Sequence, residues 1–225
     1  MNGKTIILGI NWEQNSSAAL MVDGKIVSAI SEERFSRKKN DESYPKNAID
    51  YVLKFNGIKK NDITNVCFIS NYWSPTYTLT RHYTSFSIND YIKEQNEYWY
   101  EKIYKNKKIS FLRLFKNKID LDQFPGKKFW KNVLKKIQLD DHSSNKKLKS
   151  LGQEIRKNVA IKHLGISSNK IKFLDHSFGH IAYAYSSGKF YGEDSYVASI
   201  DAFGDFVNYS AYHFKKNNKN KIIFN

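Results

Sequence analysis

Two histidines four residues apart, His176 and His180, stand in the stretch LDHSFGHIAYAY. On a helix that spacing puts both imidazoles on one face, about 5–6 Å apart at Cβ, so that two ring nitrogens can converge on one cation. In an arbitrary helix such a pair is ordinarily just exposed or hydrogen-bonded. The zinc-protease pattern is excluded, because Ser177 stands where that chemistry needs a glutamate base. What points to a cation is the next segment. Ser195 to Ile200 reads as a strand and runs into an acidic turn, Asp201-Ala202-Phe203-Gly204-Asp205. A carboxylate just past a buried strand faces whatever lies above the sheet, and Gly204 would let a phosphate or a metal-bound ligand approach the backbone.

Two further groups could do chemistry. The polar turn Asn11 to Ser17 follows a strand and presents amides and hydroxyls, Gln14 and Asn15 among them, although ordinary turns share that composition. The run Glu32 to Asp41 is dense in charge. Such runs are usually solvated faces, but this one begins at a strand end, where Glu33, Arg34 and Arg37 could border a pocket.

These groups need a scaffold, and the hydrophobic pattern supplies one. Thr5 to Ile10, Ala18 to Val22 and Lys25 to Ser31 read as three strands, the last two joined by the hairpin signal Asp23-Gly24. Pro45 opens a helix whose apolar stripe is Ala48, Ile49, Val52 and Leu53. Gly57 ends it, and Val66 to Ser70 is a buried strand. Strand, hairpin, helix, strand is the order of an α/β layer. Residues 71–145 are rich in Tyr, Trp, Lys and Asn, with a helical stretch from Tyr91 to Lys105, and read as a helical insertion. Helical patterning resumes from Leu148 to Leu164 and stops at Gly165. Ile171 to Leu174 makes a short strand, Asp175 a cap for the histidine helix, and Phe206 to Phe214 the second strand of a hairpin.

The 225 residues can bury a sizeable core, and 40% hydrophobic content marks a globular chain. The formal charge of +15 would favour polyanions, yet the lysines crowd between positions 102 and 149 and into the tail at 215–221. No nucleic-acid module accompanies them, so no nucleic-acid partner is expected. The single cysteine, Cys67, lies in an apolar run and reads as core. No signal peptide or membrane-length apolar run is evident, so the expected location is the cytoplasm.

Taken together, GINWEQNSSAALMVDGKIVSAISEERFSRKKNDESYP and LDHSFGHIAYAY with SIDAFGD resemble the nodulation and antibiotic O-carbamoyltransferase family, in order as well as type, over residues 5–70 and 170–214. The resemblance implies an actin-like ATPase (ASKHA, ribonuclease H-like) mixed sheet with flanking helices, similar to the tRNA-threonylcarbamoyl transferase. Residues 1–225 would form the first half of that fold. It further implies ATP and carbamoyl phosphate as co-substrates, which make a carbamoyl adenylate that delivers its carbamoyl group to a small-molecule hydroxyl acceptor.

On this resemblance His176 and His180 would ligate a divalent metal, with iron, zinc and manganese all compatible. Asp201 would be catalytic, lying with Gly204 and Asp205 near the phosphate or carbamoyl site, and Asn15, Glu33, Arg34 and Arg37 would border it. Gln14-Asn15 stands where the family has His-Asp, so Gln14 occupies the acid/base position with a group that cannot titrate, and Ala202 replaces a glycine. A further acidic ligand, the second actin-like half and a YrdC-like domain are expected beyond Asn225, in the same or a neighbouring chain, and the 225 residues alone are expected to be inactive. The alternative is a catalytically inactive relative that binds metal or nucleotide and docks an anionic partner.

Overall fold

A computed structural model of the chain describes residues 3–73, 86–118, 145–205, 207–216 and 221–224. Ile6, Leu8 and Ile10 alternate with more exposed neighbours along β1 (Ile6–Asn11), so one face of the strand enters the core. Ala18 and Leu20 do the same in β2 (Ser17–Val22). Asp23 and Gly24 both take positive φ, 47° and 80°, as a tight two-residue turn requires, and return the chain as β3 (Lys25–Ser31) antiparallel to β2. Helix α1 (Lys46–Phe55) buries Ala48, Ile49, Val52 and Leu53 and packs on β2 and β3. It leads to β4 (Asn65–Ile69), parallel to β1, and β5 (Ile171–Leu174) lies parallel to β4.

The resulting order, β3-β2-β1-β4-β5, is the mixed five-stranded α/β sheet of an actin-like, ribonuclease H-like domain, with β1 at its centre. The parallel strands β1, β4 and β5 end along one edge, so the segments that leave them are neighbours.

The charge run after β3 has a structural task. Pro45 precedes α1 and offers no side-chain cap. Glu32, only 3% exposed, supplies the missing acceptor: one oxygen takes the Asn47 side-chain amide at 2.6 Å, the other the Ala48 N–H at 2.8 Å. Asp41, equally buried, accepts from Ser16 N through its carbonyl and from Ser43 N through its carboxylate.

Helix α2 (Asn145–Leu164) buries Ile155, Ala160 and Leu164 and stops at Gly165, whose φ is 67°. Arg156 in its middle is fully buried. Its guanidinium donates to the carbonyls of Ser70 (2.8 Å) and Asn71 (3.0 Å), just past β4, and lies 4.7 Å from the centre of the Phe173 ring. Burial draws its pKa down to about 10, against the Glu13 and Asp205 carboxylates. One turn before it, Gln153 donates to Asn71 Oδ1 at 3.4 Å. Further along α2, His163 bridges Tyr44 Oη (3.1 Å) and Asp50 Oδ1 (2.9 Å) of α1.

A second sheet has the order β6-β7-β8: β6 (Ser195–Gly204), β7 (Val207–Phe214) and β8 (Lys221–Phe224), all antiparallel. Helix α3 (His176–Ser187) packs on it through Ile181, Phe178 and Tyr185 against Tyr212 and Phe214. The expected acidic turn is corrected here. Residues 201–204 continue β6, and the register slips between Ile200, paired with Tyr209, and Gly204, paired with Val207. The chain reverses at Asp205, φ 51°. Phe206, expected to open the second strand, lies outside the described residues.

The chain divides into two compact units, Met1–Tyr72 with Gln153–Asn225, and Trp73–Gly152. The second falls on the expected insertion, much of which lies outside the described residues. Its described part includes helical turns from Ile88–Lys93 through Glu94–Tyr100 and a small aromatic core of Tyr98, Phe111 and Phe115. Among the described residues, no helix is long and apolar enough to cross a membrane.

Candidate functional site

The segments that meet at the shared strand edge supply the groups of the candidate site. β5 ends at Leu174, Asp175 caps α3 by accepting from Phe178 N at 3.0 Å, and His176 is thereby fixed as the first helical residue. His180 stands one turn later. Asp201 comes from the slipped register of β6, a local irregularity of the kind that re-aims a side chain. The three converge: His176 Nε2 lies 2.7 Å from Asp201 Oδ2 and 3.0 Å from His180 Nε2, and His180 Nε2 lies 3.6 Å from the same oxygen. Two ring nitrogens and a carboxylate oxygen at this spacing form a group that could hold a metal ion.

His176 is held from three other directions. Its backbone N–H donates to Asp205 Oδ2 at 2.8 Å. Its ring lies against Gly204, where a Cβ would overlap the imidazole, so the glycine makes room for a side chain of the chain itself. Its Nδ1 lies 3.8 Å from Glu13 Oε2, an ion-pair contact. These acids raise the His176 pKa to about 9: Glu13 contributes most, burial opposes it, and Asp201 adds to it.

Glu13 belongs to the turn after β1. Asn11 folds that turn by donating Nδ2 to the carbonyls of Gln14 (3.2 Å) and Asn15 (3.3 Å), and Asn15 takes φ 60°. The turn and the histidine helix face each other across a pocket of about 650 Å³. Asn11, Glu13, Gln14 and Asn15 form one wall, His176, His180 and Asp201 the other, and Ile69 and Gly179 complete the lining. Among the described residues no lysine or arginine lines it.

Of the residues singled out from sequence, Gln14, Asn15, His176, His180 and Asp201 come together here. Gly204 and Asp205 sit behind the pocket, not in it. The Asp205 carboxylate accepts from Ser70 Oγ, Asn71 N, Tyr72 N and His176 N at 2.7–2.8 Å, tying the exit of β4 to the start of α3. Glu33, Arg34 and Arg37 are not part of the pocket lining. Arg34 is 68% exposed and contacts Glu33 at 3.6 Å, Glu33 also accepts from Asn40 N, and Arg37 ends the single turn Glu33–Ser36 with φ 58°.

Sequence reasoning passed over Glu13 and Arg156. Glu13 is the one titratable residue of the first turn, and that chemical difference from its amide neighbours was the available signal. Arg156 had none, standing in a helix already rich in lysine.

The family described as "Carbamoyltransferase N-terminus" matches residues 6–225. Two curated proteins, both uncharacterised, are similar over shorter stretches. One, from Synechocystis sp., is 37% identical over 107 residues, 44% of this chain and 17% of its own length. The other, from Methanocaldococcus jannaschii, is 43% identical over 61 residues, 27% of this chain and 12% of its own length. The matched stretches therefore span under a fifth of either relative.

Proposed function

The chain belongs to the carbamoyltransferase N-terminal family, and from that premise we propose that it carries the metal-binding and transfer site of an ATP-dependent O-carbamoyltransferase. In this reading a carbamoyl group, donated by carbamoyl phosphate by way of a carbamoyl adenylate, passes to the hydroxyl of a small molecule. The observation that carries it is the convergence of His176, His180 and Asp201 at a pocket on the strand edge.

The donor set fits a divalent cation. Two ligands about 2.1 Å from one metal lie about 3.0 Å apart in octahedral and about 3.4 Å apart in tetrahedral geometry, and the two Nε2 atoms are separated by 3.0 Å. Imidazole and carboxylate together suit iron, zinc or manganese. Bound there, the ion would polarise the carbamoyl or phosphoryl oxygen as a Lewis acid.

The protein's own groups do the rest. Gln14 and Asn15, exposed on the facing wall, are placed to hydrogen-bond the carbamoyl amide or the acceptor. Ile69 and Gly179 leave room at the lining for the small planar group. Among the described residues no arginine or lysine lines the pocket, so the cation, held by His176, His180 and Asp201, would supply positive charge toward the donor there.

The second reading, a metal-binding relative without turnover, draws on Gln14, which cannot take the acceptor proton. One experiment separates the two: metal content of the purified protein, and transfer of labelled carbamoyl from carbamoyl phosphate and ATP to a panel of hydroxyl acceptors. Metal bound with transfer supports the enzyme. Metal bound with no transfer by the full-length protein supports the second reading, and no metal at all defeats the site assignment.

A further inference from the structure

Glu13 and Asp205, the two carboxylates whose charges act on the buried Arg156 guanidinium, both end on His176, one at the ring and one at the backbone. Asp205 fixes where the first turn of α3 begins. That leaves the rotation of the imidazole and the choice of ring nitrogen to be set, and the groups around the ring divide cleanly. Nε2 faces Asp201 and His180, while Nδ1 faces Glu13 across the pocket. Gly204 closes the back of the ring.

We propose that Glu13 is the positioning residue for His176: its carboxylate holds the Nδ1–H tautomer, which leaves the Nε2 lone pair directed at the cation. The inference rests on the metal site proposed above and deepens it. Histidine ligands commonly donate their other ring N–H to a carboxylate, which sets the tautomer and makes the ligating nitrogen more basic. Gln14 and Asn15 next to Glu13 are amides, whose dipoles replace a full negative charge poorly, and Glu13 is the acid that the turn presents to the pocket. The turn is also stiff enough for the task, because Asn11 pins the carbonyls of Gln14 and Asn15. Arg156 balances the charge that Glu13 carries.

The test uses the full-length protein and zinc ion as probe. Glu13→Gln keeps the shape and removes the charge, and Glu13→Asp keeps the charge on a shorter arm. Titration calorimetry of the Glu13→Gln variant, with the affinity corrected for the proton that the His176 ring must release, is expected to show zinc affinity lower by about 10–100-fold, with partial recovery in Glu13→Asp. Nitrogen NMR of the His176 ring, recorded at alkaline pH without metal, is expected to show a fixed Nδ1–H tautomer in the parent and a mixture in Glu13→Gln. Unchanged affinity together with an unchanged tautomer would overturn the proposal. A parent protein that binds no zinc removes the metal site, and the tautomer measurement alone then decides whether Glu13 orients the ring. Loss of carbamoyl transfer with both readouts intact would count against the positioning role, because Glu13 would then act on substrate directly.

Discussion

The run from Glu32 to Asp41 and the group Glu13, His176, His180 and Asp201 both gather acids and bases at strand ends, yet they use them in opposite ways. In the first, the buried acids close onto backbone N–H groups of the same chain, and the exposed ones pair with their neighbours in sequence. In the second, the donor atoms come from three distant segments and meet at open space. The first cluster serves the fold itself, its buried acids satisfying backbone N–H groups of α1 and of the loop after Asp41. The second cluster borders a pocket, where a ligand can reach it.

That contrast can be broken most decisively at Gly204. Alanine there would drive a methyl group into the His176 ring, so metal affinity in titration calorimetry is expected to fall about 100-fold or more while the far-ultraviolet circular dichroism is kept. Retained affinity would mean that the ring has a second productive position. Proton competition comes next. With its pKa raised to about 9, His176 must lose a proton to bind metal, so apparent affinity should rise about tenfold per pH unit below that value and level off above it.

The same shift has a stability sign in the metal-free chain. His176 adds stability that is full below its ordinary value of 6.5 and is lost as pH rises through about 9. His163 has the opposite sign: burial lowers its pKa despite the Asp50 bond, so its contribution is lost as pH falls below 6.5. Melting temperatures of His176→Gln and His163→Gln across that range should therefore diverge from the parent at opposite ends.

The structural cluster is probed by Glu32→Ala, which leaves Ala48 N–H and the Asn47 amide without their acceptor. A loss of about 2 kcal/mol in urea unfolding is expected, with metal affinity unchanged. Arg34→Ala should be nearly silent, within about 0.5 kcal/mol and without effect on metal or carbamoyl phosphate binding. A binding defect in that variant would return the surface loop to the site.

Much of the scaffold was legible because its signals are local. The Asp23-Gly24 turn, the α1 stripe and the Asp175 cap each depend on residues within a turn or two, and each stands where the pattern puts it. The His176 and His180 pair was legible for the same reason. The illegible part depends on register and distance. Nothing in Glu32 and Glu33 as letters says which is buried, since that comes from how β3 delivers them to α1. The slip in β6 that turns Asp201 toward the histidines is a property of pairing with β7. Glu13 and His176 meet only because β1 and β5 end on one edge with β4 between them.

The contact between Gln153 and Asn71 has a consequence for how this chain can diversify. It brings together the two points where the sheet unit gives way to residues 73–152 and takes the chain back. A segment whose ends are already held side by side can lengthen, shrink or be exchanged at a cost that grows only with the logarithm of its length. Arg156 and Asp205 lock the exit of β4 through backbone groups of Ser70, Asn71 and Tyr72, whatever side chains the inserted segment carries. The doorway is therefore a fixed socket, into which evolution or an engineer can plug segments of different length while the strand order behind it is untouched.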